Sequence, residues 1–325
     1  MQCSAIVAQS TGGPEVLAWQ NIDIGDPGAG EIRIRHAAVG LNFIDVYHRS
    51  GLYPVEPPFT PGLEGAGVVE AVGDGVTSVV VGDRVAYAAP PMGSYAEARL
   101  MPAAAVVTVP GGIADETAAA MMLKGMTAEY LLRRTYEVKA GETILFHAAA
   151  GGVGLIACQW AKALGATVIG TVGNDEKAEL ARAHGCDHPI VYTRENFVDR
   201  VREITDGKGV PVVYDSVGKD TFDGSLDCLA PRGLLASFGQ SSGAVDAFNP
   251  GVLAAKGSLY LSRPTLMTYN ASRAELVASA GALFDVVGSG TVKIEINNRY
   301  PLAEAEQAHR DLQDRKTTGS TIFTL

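Results

Sequence analysis

The sequence is poor in cysteine, has no excess of basic residues and contains no long apolar run. Its four cysteines, Cys3, Cys158, Cys186 and Cys228, stand singly. Their spacing therefore suggests neither a zinc-binding CxxC lobe nor a disulfide framework, and reduced thiols are expected. Lys and Arg number 26 against 36 Asp and Glu, a net charge of −10. An acidic chain without a basic stripe argues against a nucleic-acid or anionic-membrane partner.

No apolar run reaches the roughly 20 residues that a membrane-spanning helix needs. The first residues, "MQCSAIVAQSTGGPEVL", lack the basic segment and apolar core of a secretory signal. We therefore expect a soluble cytoplasmic protein. The hydrophobic fraction of 47% and the charged fraction of 19% are ordinary for a globular chain and sufficient for a sizeable core.

Two patterns of secondary structure follow one another along the chain. Up to about residue 110, short β-branched runs broken by Gly-Asp turns predict a small barrel, and "EIRIRHAAVG" alternates as a half-buried strand does. The stretch "PFTPGLEGAG" has enough Pro and Gly to predict a loop. Then "DETAAAMMLKGMTAEYLLRR" predicts a helix capped by Asp115, and strands alternate with helices for about 120 residues. That alternation predicts an α/β domain with a doubly wound parallel sheet.

A glycine-rich turn, "AAAGGVG", joins the strand "TILFHAA" to a helix. Gly151, Gly152 and Gly154 would permit a tight turn and close approach of the backbone to a pyrophosphate. Val153 and its neighbours would offer N–H groups at the positive end of the helix. The strand-turn-helix context predicts a dinucleotide site. The alternative is a packing turn in an α/β domain that binds nothing.

The end of the next strand indicates which dinucleotide binds. NAD sites usually place Asp or Glu there to accept hydrogen bonds from the ribose 2′-OH, and this chain has Gly173. Glycine leaves room for a 2′-phosphate, to which Lys177 and Tyr192 would donate. Asp175 and Glu176 oppose this interpretation by their charge, but the pattern favours NADPH over NADH.

Several motifs together resemble the medium-chain dehydrogenase/reductase superfamily. They are "GGPEVL", "GLNFIDVYHRSGLYP", "PGLEGAGVVEAVG", "GDRV", "AAAGGVG", "ACQWAKALGA" and "VVYDSVG". Within it they are most similar to the zinc-free quinone oxidoreductases, the branch that includes zeta-crystallin, and the resemblance covers nearly the whole chain. It implies a GroES-like catalytic domain, residues 1–124 and 266–325, and a Rossmann NADP(H)-binding domain, residues 125–265.

Departures from the zinc-bearing relatives predict the chemistry. Asn42 stands where those relatives have Cys, and Leu63 stands where they have His, although Glu64 remains. A catalytic zinc needs three protein ligands, so one carboxylate is not enough and no metal is expected. Hydride transfer to a quinone fits such a site, because the quinone oxygens need only hydrogen-bond donors.

The resemblance also implies individual site residues. Asn42, Tyr47 and Tyr53 are predicted to contact or orient the acceptor, although each tyrosine could equally pack with a solvated hydroxyl. His147 is predicted to be structural rather than an acid. Further cofactor contacts are predicted besides the glycine turn, Gly173, Lys177 and Tyr192. They are Asn42, Lys124, Thr127, Tyr130, Ser216, Phe238, Gly239, Ser241 and Arg263. An alternative for Arg263 is a surface ion pair.

Other functions remain open from the residues alone. The same scaffold would suit an NADPH-dependent reductase of activated C=C bonds in enals or enones. It would also suit a non-catalytic, crystallin-like NADPH-binding protein. The stretch "GSLYLSR" predicts a strand at a sheet edge that pairs across a two-fold axis, as it does in the family, and hence a homodimer.

Overall fold

A computed structural model of the chain describes residues 1–325 and divides into two compact units. We call Met1–Met126, Asn270–Gly288 and Ile294–Leu325 the barrel unit, and Thr127–Tyr269 with Ser289–Lys293 the nucleotide unit. The domain limits expected from the sequence, after residues 124 and 265, stay a prediction. No helix is both long enough and apolar enough to cross a bilayer.

Fifteen strands and ten α-helices make up the regular structure. The strands are β1 Gln2–Ala8, β2 Leu17–Asp23, β3 Glu31–Leu41, β4 Glu64–Val72, β5 Arg84–Ala88, β6 Ala98–Pro102, β7 Val107–Thr108, β8 Thr143–Phe146, β9 Thr167–Val172, β10 His188–Val191, β11 Val210–Asp215, β12 Leu229–Ser237, β13 Tyr260–Ser262, β14 Ile296–Pro301 and β15 Ser320–Thr324. The helices are α1 Phe43–Ser50, α2 Asp115–Tyr130, α3 Gly152–Ala163, α4 Asp175–Ala183, α5 Phe197–Ile204, α6 Phe222–Asp227, α7 Gly251–Ala255, α8 Leu266–Tyr269, α9 Arg273–Gly288 and α10 Ala305–Gln313. One π-helical turn, Leu131–Thr135, continues α2.

The barrel unit is built on a mainly antiparallel sheet in the order β14-β15-β3-β4-β5-β7, with β6 also paired to β3. The long strand β3 alternates as the sequence predicts, and its Ile32 and Ile34 are buried with Val69, Val85 and Tyr87 in one apolar cluster. The last strand, β15, pairs antiparallel with β3. The C-terminal segment therefore returns to the first half of the chain, as the resemblance implies.

The nucleotide unit contains a six-stranded parallel sheet in the order β10-β9-β8-β11-β12-β13. Numbered from β8, this is the 3-2-1-4-5-6 order of a doubly wound dinucleotide-binding sheet. The order reverses between β8 and β11, so the crevice that such folds use for ligands lies beyond the carboxyl ends of these two strands. The predicted Rossmann and GroES-like architecture is confirmed.

The loop predicted for "PFTPGLEGAG" is wrong in its second half, because β4 already begins at Glu64. The two glycines within β4, Gly65 and Gly67, serve strand packing rather than a turn. A Cβ atom on Gly67 would lie 2.0 Å from the carbonyl oxygen of Arg35 on β3, so only glycine allows the two strands to approach. Asp115 was predicted to cap α2, but it is the first residue within that helix. Its carboxylate accepts two hydrogen bonds from Arg84, at 2.9 and 2.6 Å.

Candidate active site

The glycine-rich turn lies between β8 and α3, as predicted. Gly151 is the N-cap of α3 and no side chain caps this helix. By contrast, Asn174 and Asn196 cap α4 and α5 with their side-chain oxygens. The first N–H groups of a helix have no partner within the helix. The start of α3 therefore offers N–H groups and a positive dipole end to an anionic group.

One glycine of this turn also has a packing role, and the predicted contact with a pyrophosphate stays a prediction. The residue with a left-handed backbone is Ala148, at φ 54°. Gly154 is needed for close packing, since a Cβ atom there would lie 2.3 Å from the Ala148 carbonyl oxygen. A Cβ on Gly151 would lie 3.2 Å from the same oxygen. Gly154 thus lets the first turn of α3 pack against the residues that follow β8.

Gly173 directly follows β9, and the structure brings it to Tyr192, which follows β10. A Cβ atom on Gly173 would lie 3.1 Å from the Tyr192 hydroxyl oxygen. Lys177 lies in the first turn of α4, where its backbone N–H donates to Asn174 Oδ1 at 2.9 Å. Gly173 and Tyr192 therefore lie together at the ends of two neighbouring strands, and Lys177 lies in the first turn of the helix that follows one of them.

Arg194, which the sequence analysis did not consider, pairs with Asp175 beside this group. Its two terminal nitrogens donate to the Asp175 carboxylate at 2.7 and 2.5 Å. These hydrogen bonds lower the pKa of Asp175. The carboxylate that weakened the NADPH interpretation is thus balanced by a cation, and Arg194 became recognisable only once β10 and α4 were placed side by side.

The predicted strand-end contacts Ser216, Phe238, Gly239 and Ser241 also lie together. Ser216 follows β11, and the other three follow β12. The backbone N–H of Ser241 donates to the Ser216 carbonyl oxygen at 3.1 Å. A Cβ on Gly239 would lie 2.7 Å from the same oxygen, so the two connections approach closely only with glycine there.

Thr127, Tyr130 and Arg263 form another local group. Tyr130 is buried at the end of α2 and stacks on Tyr269 at a ring-centroid distance of 4.5 Å. Burial raises the pKa of Tyr130, while the charge of Arg263 and a hydrogen bond with Thr127 oppose the rise. Arg263 donates to the Ser237 carbonyl oxygen at 3.0 Å, so it is attached to the end of β12.

His147 is structural, as predicted. It is fully buried, with Nδ1 2.9 Å from the Thr171 hydroxyl oxygen and Nε2 3.0 Å from the Ser225 hydroxyl oxygen. Ser225 donates in turn to Asp215 at 2.8 Å. Burial lowers the pKa of His147, which favours the neutral ring.

In the barrel unit, Asn42 is the N-cap of α1 directly after β3. Its backbone N–H donates to Asp45 Oδ2 at 2.9 Å, and its side-chain amide donates to Glu64 Oε2 at 2.7 Å. Tyr47 and Tyr53 lie with their ring centroids 5.1 Å apart, and the Tyr53 N–H donates to the Tyr47 carbonyl oxygen at 3.0 Å. The predicted donors of this stretch therefore come from one helix and the turn that follows it.

Glu64 connects Asn42 with another predicted residue, Lys124. Its side chain has 0% exposure and that of Lys124 has 7%. Glu64 Oε2 accepts from the Lys124 ammonium at 3.0 Å, and Oε1 accepts from the backbone N–H of Leu123 at 2.7 Å. With the Asn42 amide, one buried carboxylate receives three hydrogen bonds.

The sequence analysis treated Glu64 only as the one remaining zinc-ligand position. A signal for its actual role was present. Glu64 and Lys124 are each the single charge within a stretch of small and apolar residues, "PGLEGAGVV" and "AAAMMLKGMTA". Charged residues are rarely buried unless paired, so two lone opposite charges in apolar segments predict a partner for each other.

The structure brings together no group of three His, Cys, Asp or Glu side chains that could hold a metal ion.

Two protein families match the chain in consecutive parts. Residues 28–138 match the alcohol dehydrogenase GroES-like domain, and residues 152–274 match the family described as zinc-binding dehydrogenase. A quinone oxidoreductase of Pseudomonas aeruginosa is 58% identical over 313 residues, which cover 96% of each chain. The crystal structure of Escherichia coli quinone oxidoreductase complexed with NADPH superposes with a TM-score of 0.98 at 49% identity, covering 99% of this chain and 100% of that one. A 2-haloacrylate reductase of a Burkholderia species is 47% identical over 98% of each chain.

Proposed function

The chain belongs to the quinone oxidoreductase family of the medium-chain dehydrogenase/reductase superfamily, and from that premise we propose that it reduces a quinone with NADPH, without a metal. The near-complete superposition on the NADPH complex of the Escherichia coli enzyme carries this proposal. The high identity to quinone oxidoreductases over almost the whole chain supports the same acceptor class.

The residues of the nucleotide unit fit NADPH. The uncapped start of α3, with Gly151, Gly152, Val153 and Gly154, suits a pyrophosphate. The end of β9 suits a 2′-phosphate, because Gly173 has no carboxylate to repel it and the Tyr192 hydroxyl, a donor, lies beside it. We propose that Lys177 supplies the positive charge for that phosphate. Further proposed contacts to the cofactor are Asn42, Lys124, Thr127, Tyr130, Ser216, Phe238, Gly239, Ser241 and Arg263.

NADPH bound by these residues supplies a hydride, and the chain provides orientation and hydrogen bonds. Reduction of a quinone places negative charge on its oxygens, and preorganised donors stabilise such charge. We propose Asn42, Tyr47 and Tyr53 as the donors that orient the acceptor. No essential acid is required, since the hydroquinone monoanion formed by hydride transfer takes one proton from water, so proximity contributes most of the rate.

The test is NADPH oxidation followed by the loss of absorbance, with 1,4-benzoquinone and a simple enone as rival acceptors and NADH as rival donor. We expect fast turnover with NADPH and the quinone. Dialysis against a chelator should leave that rate unchanged, and metal analysis should find no stoichiometric zinc. Loss of activity on chelation contradicts the metal-free proposal, and NADPH binding with neither acceptor reduced supports a crystallin-like role.

The second candidate is reduction of an activated C=C bond. It is favoured by the identity of 47% to a 2-haloacrylate reductase, whose name describes such a conjugated substrate. Enones and quinones are both electron-poor conjugated carbonyl compounds, so the same donors would serve either acceptor. Turnover with the enone alone, in the same assay, would assign the chain to this second activity.

We also propose a homodimer that forms through β13. This strand is the last of the parallel sheet and pairs only with β12. Tyr260 on it is 63% exposed and Leu261 is 37% exposed. An apolar edge strand is a template for pairing with another chain, and a two-fold axis would extend the sheet. Sedimentation should show a dimer that Leu261→Lys dissociates; a monomeric wild-type chain contradicts the proposal.

A further inference from the structure

We propose that Glu64 is a positioning residue, whose carboxylate holds the Asn42 amide and the Lys124 ammonium side by side as contacts for the cofactor. This inference rests on the proposed function, because Asn42 and Lys124 are proposed cofactor contacts. Glu64 itself contacts neither cofactor nor acceptor in the proposal. It acts through the two residues that its carboxylate binds.

The geometry of the three side chains supports this role. They come from different elements, since Asn42 precedes α1, Glu64 begins β4 and Lys124 lies in α2. Glu64 Oε2 is the atom they share, at 2.7 Å from the Asn42 amide nitrogen and 3.0 Å from the Lys124 ammonium nitrogen. The second oxygen, Oε1, is held by the Leu123 N–H at 2.7 Å, which fixes the carboxylate against rotation.

The neighbouring strand leaves space for this carboxylate. A Cβ atom on Gly40 would lie 2.1 Å from Glu64 Oε2 and 2.5 Å from the Ala119 carbonyl oxygen. Gly40 pairs with Ile322 of β15 and lies within β3, where no left-handed backbone requires a glycine. Its lack of a side chain is therefore explained by the carboxylate of Glu64 together with the Ala119 carbonyl oxygen.

The cost of burial also points to function rather than stability. Burial of an ion pair is often no more stabilising than apolar residues of the same volume. The ammonium of Lys124 has three N–H donors, and one of them is used by Glu64. The pair thus keeps a cation in a buried position with donors left for a ligand.

Other ionisable groups surround this pair. Asp45 of α1 interacts electrostatically with both Lys124 and Glu64. The charge of Glu64 also contributes to raising the pKa of Tyr87 on β5 and of Tyr95. His36 of β3 lies 2.6 Å from the Tyr87 hydroxyl oxygen through Nε2. Among these groups Glu64 is the carboxylate that bonds directly to the ammonium, so its loss should affect Lys124 most.

The experiment compares NADPH with adenosine 2′,5′-bisphosphate, which lacks the nicotinamide end. For Glu64→Gln we expect the Kd of NADPH, measured by nicotinamide fluorescence, to rise about tenfold, the effect of one lost hydrogen bond to a charged group. The Kd of the bisphosphate, measured by calorimetry, should not change. The loss should grow from about pH 6 to about pH 9, because a buried ammonium without its partner loses its proton more readily.

Two further variants separate positioning from folding. Glu64→Asp keeps the charge and should restore NADPH binding that is independent of pH. The double variant Glu64→Gln/Lys124→Met removes both charges and should unfold near the wild-type temperature, yet bind NADPH as weakly as Glu64→Gln. If Glu64→Gln does not fold, wild-type NADPH affinity in the folded double variant still overturns the inference.

Wild-type NADPH affinity in Glu64→Gln or in the double variant overturns the inference. An equal loss of affinity for NADPH and for the bisphosphate overturns it too, since that result indicates general disruption. Failure of the proposed function would be seen elsewhere, as absence of NADPH binding or quinone turnover in the wild-type chain.

Discussion

The nucleotide unit takes its proposed contacts from the ends of neighbouring parallel strands, whereas the barrel unit takes them from elements far apart in the chain. In the first, the glycine turn follows β8, Gly173 follows β9 and Ser216 follows β11. In the second, Asn42, Glu64 and Lys124 meet through a single carboxylate. Backbone geometry thus determines the contacts proposed in the nucleotide unit, and buried charge determines those proposed in the barrel unit.

Buried polar groups differ between the units in the same way. In the nucleotide unit, the buried acidic and basic side chains are Glu129, His147 and Asp215. The barrel unit has more of them: His36, Asp45, Arg49, Glu64, Arg99, Lys124 and His309. The barrel unit should therefore respond more strongly to pH, and the nucleotide unit should respond more strongly to changes in backbone shape.

The largest effect is expected from Gly154→Ala in the nucleotide unit. The new Cβ would lie 2.3 Å from the Ala148 carbonyl oxygen and 2.7 Å from the Ala149 carbonyl carbon, so the turn must move. Displaced N–H groups would lose their bonds to the pyrophosphate, at roughly 1.5–3 kcal/mol for each hydrogen bond to a charged group. We expect the Kd of NADPH to rise by about 100-fold, measured by nicotinamide fluorescence.

Gly281→Ala is the matched control for that substitution. Gly281 lies within α9, and a Cβ atom there would meet nothing within 4 Å. Alanine in a helix is favoured over glycine by roughly 0.5–1 kcal/mol, so this variant should be slightly more stable. Its NADPH affinity should equal that of the wild type. A Gly154→Ala variant that binds like Gly281→Ala would refute the role of backbone geometry.

Asp45→Asn tests the charge half of the comparison. Burial raises the pKa of Asp45 from its ordinary 3.8 to about 7. The fold therefore prefers the neutral acid, so the stability from this group is complete below pH 3.8 and is lost as the pH rises through about 7. Asparagine stays neutral. The free energy of unfolding of the variant, relative to that of the wild type, should therefore increase by about 2–3 kcal/mol between about pH 5 and pH 8.

Urea unfolding at a series of pH values measures this gain. Asn42 N and the Tyr95 hydroxyl both lie 2.9 Å from Asp45 Oδ2, and an amide oxygen can accept both hydrogen bonds. A difference in the free energy of unfolding that is constant across the pH range would show that Asp45 is charged in the folded protein. The buried charges of the barrel unit would then be less tightly linked to pH than we infer.

His309→Gln should have the opposite sign and a smaller size. Burial, helped by the charge of Arg49, lowers the pKa of His309 from 6.5 to about 3. The fold prefers the neutral ring, so this stability is complete above pH 6.5 and is lost as the pH falls toward 3. Glutamine does not titrate. Between about pH 7 and pH 5, the free energy of unfolding of His309→Gln should therefore fall by about 2 kcal/mol less than that of the wild type. The same urea measurement tests this, and equal losses in the two proteins would contradict the assignment.

The sequence predicted the nucleotide unit well because its signals are local. A strand, a glycine turn and a helix follow one another within about 20 residues, and the parallel order then brings the strand ends together. The sequence did not predict the left-handed backbone of Ala148, which makes the turn. It also did not predict that Arg194, which follows β10, pairs with Asp175 of α4.

The barrel unit was predicted less completely because its proposed site depends on tertiary contacts. Asn42 and Lys124 were predicted from the resemblance, but no spacing in the sequence connects them. The loop expected at Glu64 was wrong, since glycines that usually indicate turns here allow two strands to approach. Only the folded sheet shows that the carboxylate lies between the two predicted residues.

The smallest effect is expected from Arg194→Ala, and it tests whether charge also matters in the nucleotide unit. The variant removes the cation paired with Asp175 and leaves that carboxylate in the first turn of α4 with Lys177. Both members of the pair are exposed, so we expect the KM for NADPH to rise by only about threefold, and less at high salt. The KM for NADH, which has no 2′-phosphate, should not rise.

Asp175→Asn in the same chain should restore the wild-type KM, whereas Lys177→Ala should raise the KM for NADPH far more than that for NADH. A threefold loss that persists at high salt, or that affects both cofactors equally, would mean that Arg194 acts on the shape of the site, and the contrast between the two units would then extend to this pocket as well.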